Sequence, residues 1–403
     1  MEAFNRRQPY RLSPRALRVF EARSRAAVCA GSSPLVGSIA RLSTLFTQAR
    51  DGLDTRYLDD PDLVAGYTAY FLPLNFAKIQ MLLEEMPAVA RMQDRLSVLD
   101  LGCGPGTASL AVLDWILGRA QSGIVDLQVT AVDHSRAALG ETMRLWNAFL
   151  PDEERGLAHL TPVVERFDRL TRPDSAQAIF GQATYDVIII ANSLNELFRD
   201  ATDPDVSRAA LVERCLSALK PDGTLMIVEP ALRTTARSLH RIRDLLLARG
   251  ACTVYSPCLH ERNCPALAKV DDWCHEERPW VPPDWIASLD KELGFIKDAL
   301  KFSYLLLRKD GRAVVERRPD LYRVVSELRV FKGEKRAWLC NELGRSEVGR
   351  LDRLASPRNA AVDEWHRGAL VQIERLVRKE RNGKVSSVGR IEREASVQIV
   401  RSV

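Results

Sequence analysis

Gly102, Gly104 and Gly106 stand at alternate positions directly after the apolar run Val98-Leu99-Asp100-Leu101 and directly before a helix-forming stretch that opens near Thr107. Without side chains there, backbone approaches a ligand closely, and the free N–H groups of a helix N-terminus favour an anionic group. A dinucleotide fingerprint would put its third Gly at position 107, where Thr stands, and Pro105 intervenes, so a pyrophosphate loop is not expected. Asp100 suits an ammonium and the helix N-terminus a carboxylate, which together describe an amino-acid moiety. On the next strand, Asp133 closes the run Val129-Thr130-Ala131-Val132, where a carboxylate accepts hydrogen bonds from both hydroxyls of a ribose. The ligand with a methionyl end and a ribose end is S-adenosylmethionine. Its expected contacts are Asp100, Gly102, Gly104, Gly106, Asp133 and, from the end of a later strand, Asn192. The alternative is an α/β domain that retains the loop shape without binding the cofactor.

Methyl transfer also needs an aligned acceptor and groups that assist it. At the end of the fourth strand the chain reads Ala191-Asn192-Ser193-Leu194-Asn195-Glu196-Leu197, without the Pro-Pro-aromatic motif of enzymes that methylate exocyclic base amines. The next strand ends Val228-Glu229-Pro230, without the Cys of enzymes that methylate a cytosine ring carbon. The sequence therefore designates no catalytic residue. Asn192, Asn195 and Glu229 are expected to line the pocket, with capping and core hydrogen bonding as an equal alternative.

A second chemistry is suggested by eight cysteines, of which Cys252, Cys258, Cys264 and Cys274 fall in one short stretch. The segment Ser256-Pro257-Cys258 through Cys264-Pro265, followed by Asp271-Asp272-Trp273-Cys274-His275, is rich in turn formers, and such loops wrap metals. In a reducing compartment, clustered thiols point to metal or redox chemistry rather than disulfides. Thiolates are soft ligands for zinc or an iron–sulfur cluster, and Cys340 is the distant candidate for a fourth ligand beside Cys258, Cys264 and Cys274. The spacings do not match zinc-ribbon CxxC knuckles, although His260 or His275 would complete a zinc site. They also lack the CxxxCxxC of radical enzymes. Cys252 reads as a bystander.

The elements that must position these groups follow from periodicity. Short apolar strands at Val98–Leu101, Leu127–Val132, Tyr185–Ala191 and Thr224–Glu229 alternate with helices at 107–117, 136–149 and 205–219, which predicts an α/β fold with a parallel sheet covered on both faces, Rossmann-like and of the class I methyltransferase type. Pro221-Asp222-Gly223 is expected to end a helix and turn the chain. Five regions result: a helical N-terminal cap (1–95), the cofactor-binding domain (96–250), a Cys-rich metal-binding insertion (251–300), a small β-rich C-terminal extension (301–380) and a tail (381–403).

The residues Tyr70 to Glu85 with their internal Pro73, the loop Leu99 to Thr107, the segment Leu194-Asn195-Glu196-Leu197, and above all Pro257-Cys258 through Asp272-Trp273-Cys274-His275 with Arg278 resemble the methyltransferase-like assembly factors of the mitochondrial ribosomal small subunit and their bacterial relatives. The resemblance spans roughly residues 60 to 350. It implies a 4Fe-4S cluster, with Cys258, Cys264, Cys274 and Cys340 as ligands and zinc as the alternative metal. It also implies association with small-subunit rRNA, whether or not the rRNA is itself methylated. One departure is Ala231-Leu232-Arg233 after Glu229-Pro230, where the family tends to continue with glycine.

Three functions follow as expectations: a methyltransferase or methyltransferase-like protein acting on or assembling the small ribosomal subunit, a non-catalytic assembly factor that binds rRNA, and a small-molecule methyltransferase. Residues 1 to 50 hold nine arginines against Glu2 and Glu21, a concentration that an rRNA phosphate backbone would reward, with a solvated helix face as the alternative. No membrane association is expected, because no long apolar run and no secretory signal are visible. The expected location is the bacterial cytoplasm. The Arg-rich, acid-poor start makes the mitochondrial matrix the alternative.

Overall fold

The computed structural model describes residues 8–29, 32–48, 55–87, 95–119, 126–171, 179–180, 184–295, 299–378, 380–381, 384–385 and 388–402. Two sheets organise the chain. The first contains β1 (Arg95–Leu101), β2 (Asp126–Asp133), β3 (Ala158–Val164), β4 (Tyr185–Ala191), β5 (Leu219–Pro230), β6 (Thr253–Ser256), β7 (Glu276–Pro279) and β8 (Ala299–Arg308), in the order β3-β2-β1-β4-β5-β8-β6, with β7 also on β8. From β3 to β5 every pairing is parallel, whereas β8 runs antiparallel to β5, β6 and β7. The sheet is thus mixed, which corrects the expectation of a parallel one. Strand order reverses between β1 and β4, and ligands of open α/β sheets bind at the carboxyl ends of strands flanking such a point.

The parallel strands are apolar throughout because helices cover both faces. In β4, Tyr185 to Ile190 are all buried. One face carries α5 (Thr107–Leu117), of which every residue is buried, and α6 (Arg136–Phe149), whose N-cap Ser135 accepts from the Ala138 N–H. The other carries α7 (Pro204–Ser217), capped by Asp203, and α8 (Arg233–Ala248). Preceding them in the chain are α1 (Pro14–Cys29), α2 (Ser32–Thr47), α3 (Pro61–Gly66), a single π-helical turn (Tyr67–Phe71) and α4 (Leu72–Glu85). This helical layer is locked to the domain by Phe20, Phe76 and Phe149, whose ring centroids lie 5.1 to 6.0 Å apart.

The structure departs from the sequence reading at three further places. Strand β3, with four exposed positions including Pro162, lacks the apolar run that marks the inner strands and was not expected. Pro221-Asp222-Gly223 does not end the helix, since α7 stops at Ser217 and residues 220–223 form an irregularity inside β5, where Lys220 pairs with Asp186 at 2.8 Å. The segment Phe302–Leu307, expected to begin the C-terminal extension at 301, is the centre of β8 and is buried in the first sheet.

The second sheet begins only at Leu321. It comprises β9 (Leu321–Val324), β10 (Arg329–Phe331), β11 (Glu334–Asn341), β12 (Gly344–Leu351), β13 (Leu370–Ile373), β14 (Leu376–Val377), β17 (Val388–Ile391) and β18 (Val397–Arg401), with a separate ribbon of β15 (Glu380–Arg381) and β16 (Lys384–Val385) between. Its order is β14-β17-β12-β11-β9-β13-β18, with β10 on β11. The region expected to be a tail therefore supplies two strands, and Ile391, Val397 and Ile399 complete the core under this sheet. Between β13 and β14, Arg375 holds a φ of 62°.

A buried ionic network joins the two sheets and the cap. Glu85 of α4 accepts from Arg278 (2.9 Å), from Tyr304 (2.7 Å) and from Ser256, while Arg323 of β9 donates to Glu276 (2.7 Å) and Tyr304 (2.9 Å). Burial alone would raise the Glu85 pKa, but Arg278 and Arg323 outweigh it and hold it at about 2.

Candidate cofactor cleft and cysteine cavity

A cavity of about 380 Å³ opens at the carboxyl ends of β1, β2 and β4, and Asp100, Gly102, Gly104, Asp133 and Asn192 all line it. Gly106, the remaining sequence candidate, is not among the lining residues and instead starts α5 from a φ of 87°. A Cβ on Gly106 would meet Thr142 Cγ2 at 2.6 Å, and one on Gly102, whose φ is 70°, would meet Ser193 Cβ at 2.7 Å. These two positions require glycine because the turn is left-handed and the neighbouring side chains already fill the space. The floor of the cleft is therefore bare backbone.

Each acid has a structural partner as well as a place at the cavity. Asp100 accepts from the Ser109 N–H (2.9 Å) and Oγ (2.7 Å), both on the same carboxylate oxygen. Burial pushes its pKa up to about 7, with the Ser109 bonds opposing and Asp133 adding to the rise. Asp133 accepts from the Gly104 N–H through one oxygen and from the Ser135 N–H through the other, both at 2.9 Å, and burial raises its pKa too. Asp133 thus ties the glycine loop to the second strand. Asn192 holds a φ of 58°, uncommon for a residue with a side chain and a form of strain that concentrates at functional sites.

Glu229 does not line the cleft. It is buried behind Asn195, which donates to it from its backbone N–H (3.1 Å) and from its side-chain amide, so the Asn195 side chain, though at the cavity wall, is held by core bonding. Sequence reasoning also missed the opposite wall. The π turn brings Tyr67 and Phe71 to the cleft with ring centroids 5.9 Å apart, and Phe46 of α2 lies 5.1 Å from Phe71. The only signal in the sequence was the aromatic density of Tyr67-Thr68-Ala69-Tyr70-Phe71.

A cavity of about 40 Å³ lies between the two sheets, and Cys258, Cys264, Cys274 and Cys340 all line it, together with His240, His260 and His275. Three thiols come from the loop between β6 and β7 and the fourth from β11, far along the chain. Cys252 lies outside it, packed against the apolar core under the first sheet. Burial, then the charges of Cys258 and Cys274, raise the pKa of Cys264 and of Cys340, and burial followed by Cys258 does the same for Cys274. Thiolates so placed repel one another unless a cation intervenes, which is the donor chemistry of a soft-metal site. Among the described residues, however, no group of three or more His, Cys, Asp or Glu is placed to hold a single metal ion. The metal-binding insertion expected from the sequence is therefore, as observed, a thiol-lined cavity. His275 bonds to Glu277 (2.9 Å) and His260 to the Arg262 carbonyl (3.1 Å), so both have structural roles.

The cysteine loop owes its path to one face of α8. Arg237 donates to the carbonyls of Ala266 (3.0 Å), Lys269 (2.5 Å) and Asp272 (2.7 Å), His240 bonds the Cys274 carbonyl (3.0 Å), Arg243 donates to the Arg262 carbonyl (2.9 Å), and Asp244 accepts from the Cys264 N–H (2.8 Å). The positions 237, 240, 243 and 244 recur at helical spacing, a signal present in the sequence but meaningful only once the loop is known to cross that face.

The strand order, the bare glycine turn and the paired acids define an α/β protein of the class I methyltransferase type. The chain belongs to the family described as "Mitochondrial small ribosomal subunit Rsm22", whose model matches residues 61–349. That span includes the glycine turn and both acids of the cofactor cleft, the cysteine loop and Cys340, and ends within β12 of the second sheet. No curated protein matches the chain in sequence.

Among solved structures, a putative class I S-adenosylmethionine-dependent methyltransferase from Listeria monocytogenes is similar at 13% identity and a TM-score of 0.34, covering 61% of this chain and 62% of that one. An rRNA methylase from Streptococcus thermophilus is similar at 14% identity and a TM-score of 0.27, covering 55% and 91%. The CcbJ methyltransferase from Streptomyces caelestis is similar at 20% identity and a TM-score of 0.26, covering 38% of this chain and 48% of that one, so the chain spans about half its length. At these scores the likenesses carry no argument about function. No helix among the described residues is long and apolar enough to cross a membrane.

Proposed function

We propose that this chain is a methyltransferase-like factor of the small ribosomal subunit that binds S-adenosylmethionine at Asp100, Gly102, Gly104, Asp133 and Asn192, with Gly106 shaping the turn. The observation that carries the reading is a single cavity bounded by a side-chain-free turn and two buried carboxylates on adjacent strands. A methionyl ammonium is drawn to Asp100, and the remaining lone pairs of Asp133 accept the ribose hydroxyls. The family membership supports the ribosomal partner, and its description supports the mitochondrial matrix over the bacterial cytoplasm.

When bound, S-adenosylmethionine would supply an electrophilic methyl group, and Tyr67 and Phe71 would flank the acceptor opposite the glycine turn. Calorimetry with S-adenosylmethionine tests the reading. We expect binding by the native chain and its loss in Asp133→Ala, and an absence of binding to the native chain would refute it and favour a purely non-catalytic assembly factor. Turnover on a free small molecule without RNA would instead favour a small-molecule methyltransferase.

The same proposal assigns Cys258, Cys264, Cys274 and Cys340 as ligands of a 4Fe-4S cluster, which would supply a rigid inorganic cross-link between the two sheets. Four thiols lining one cavity, three from a single loop and one from β11, support the assignment, and zinc is the alternative metal. Chemical analysis of anaerobically purified protein should find iron and sulfide. Stoichiometric zinc without iron would overturn the assignment.

A further inference from the structure

Residues 321–403, the second sheet and its connections, hold eighteen Lys and Arg against eleven Asp and Glu, a formal charge of +7 where the entire chain carries +5. The basic N-terminal region is less available than its composition suggests, because Arg15, Arg23, Arg25 and Arg41 are paired with Glu154, Glu141, Glu21 and Asp60. Cations of the second sheet are paired as well, Arg345 with Asp272 and Arg350 with Asp363, so its claim on a polyanion rests on the net excess of the region and not on free side chains.

The face of this sheet that carries Cys340 and Arg345 meets the cysteine cavity at one end and leaves the β10–β11 hairpin free at the other, and that free end has a composition that charge alone does not explain. Alternation along β11 buries Ala337 and Leu339 in the core and turns Arg336, Trp338 and Cys340 the other way. Arg329 of β10 pairs opposite Arg336, and Phe331 opposite Glu334, so Phe331 shares that face. On β12, Glu347 lies opposite Trp338 and Arg345 opposite Cys340. Phe331 is 47% exposed and Val330, on the other side of the same hairpin, 70%, so the hairpin stands clear of the body.

The guanidiniums of Arg329 and Arg336 lie 5.7 and 5.6 Å from the Phe331 centroid, farther out than the 4.6 Å at which Arg119 lies over Trp115. Farther along, Arg345 lies 5.2 Å from the Trp338 centroid. Glu334 and Glu347 pair with Arg336 and Arg329 and hold these guanidiniums beside the ring, while Lys332 stands exposed at the hairpin tip. From Phe331 to Trp338 the strip runs about 13 Å, four residues of strand.

We propose that this strip binds an unpaired stretch of RNA, bases stacking on Phe331 and Trp338 and phosphates meeting Arg329, Arg336 and the exposed Lys332 at the hairpin tip. Sheet faces that read single strands combine exposed rings with flanking cations in this way, and the flat ring accepts any base. A duplex hides its base faces and gains nothing from Phe331. The choice of RNA among polynucleotides rests on the proposed ribosomal role, while the strip itself is argued from the sheet.

Fluorescence anisotropy of the full chain with a labelled single-stranded RNA of about twelve nucleotides, and with a duplex of equal length, tests the assignment. We expect the single strand to bind more tightly than the duplex, Phe331→Ala to weaken it about tenfold, and Phe331→Trp to restore it. The salt slope should be unchanged in Phe331→Ala and should fall by about 0.7 in Arg329→Ala, the value for one phosphate contact on a single strand. Native affinity in Phe331→Ala, equal binding of duplex, or no binding by the native chain would each overturn the inference. Co-sedimentation with purified small subunits separates it from its parent. A native chain that leaves subunits alone refutes the ribosomal role, whereas one that binds subunits while Phe331→Ala keeps native oligonucleotide affinity refutes only this strip.

Discussion

The two cavities are built in opposite ways. The floor of the cofactor cleft is assembled from residues that sit next to one another at the ends of adjacent parallel strands, so its geometry follows from the sheet, while the aromatic wall opposite comes from the helical cap. The cysteine cavity draws three thiols from one loop, a fourth from a strand of the second sheet, and its shape from a helix face that contributes no thiol at all. The first tolerates damage elsewhere. The second is a junction and inherits the stability of everything that meets there.

That contrast is broken or sharpened by substitution. The largest effect is expected for Glu85→Gln, which leaves Glu276 as the one remaining buried carboxylate against Arg278 and Arg323 and should reduce unfolding stability in urea by about 3–5 kcal/mol. The pH dependence has a definite sign. Because the folded pKa of Glu85 is depressed to about 2, its contribution is present above the ordinary carboxylate range and is lost as pH falls from about 4.5 toward 2. A stability curve flat across that window would remove the network from the account.

Arg237→Ala comes next. It removes charged hydrogen bonds to three or more loop carbonyls, of the class typically worth about 1.5–3 kcal/mol, and should lower metal content while leaving S-adenosylmethionine affinity within about twofold. Equal loss at both sites would show that the cavities are not independent. The reverse case is Gly106→Ala, where a left-handed φ and a 2.6 Å approach to Thr142 should cost about 1–3 kcal/mol, read as a tenfold or greater loss of cofactor affinity at unchanged metal content.

The smallest effect is titration. Asp100 has a pKa raised to about 7 in the folded chain, and a bound ammonium favours its ionised form, so cofactor affinity should rise severalfold between pH 6 and pH 8 and then level off. Calorimetry across that range, repeated on Asp100→Asn, checks it. A profile that persists in the variant would assign the titration elsewhere.

The cofactor cleft was the more legible site. Glycines at alternate positions after an apolar strand, with acids closing two successive strands, put Asp100, Gly102, Gly104 and Asp133 at one cavity, because strand ends in a parallel sheet lie side by side. Glu229 fell short of that wall because Asn195 lies in front of it, and Gly106 because it is spent on the left-handed start of α5. The aromatic wall was invisible, since a single π turn shifts Tyr67 and Phe71 off the helical period by which their direction would be judged. Nor could the sequence tell β8 from an appendage strand, because an apolar run such as Phe302-Ser303-Tyr304-Leu305-Leu306-Leu307 suits any buried strand and names no partner.

By itself the chain determined what depends on near neighbours: the left-handed glycine turn, the capped helices, the alternation of strand and helix, and three thiols in one loop. Only the tertiary structure decided what depends on meetings across long separations, namely the antiparallel insertion of β8 between β5 and β6, the arrival of Cys340 beside that loop, and the Glu85, Arg278 and Arg323 network that binds cap to sheets. Local preferences act through bonds and contacts within a few residues. Which distant surfaces meet is settled by the burial of whole faces, a collective property that no short segment carries.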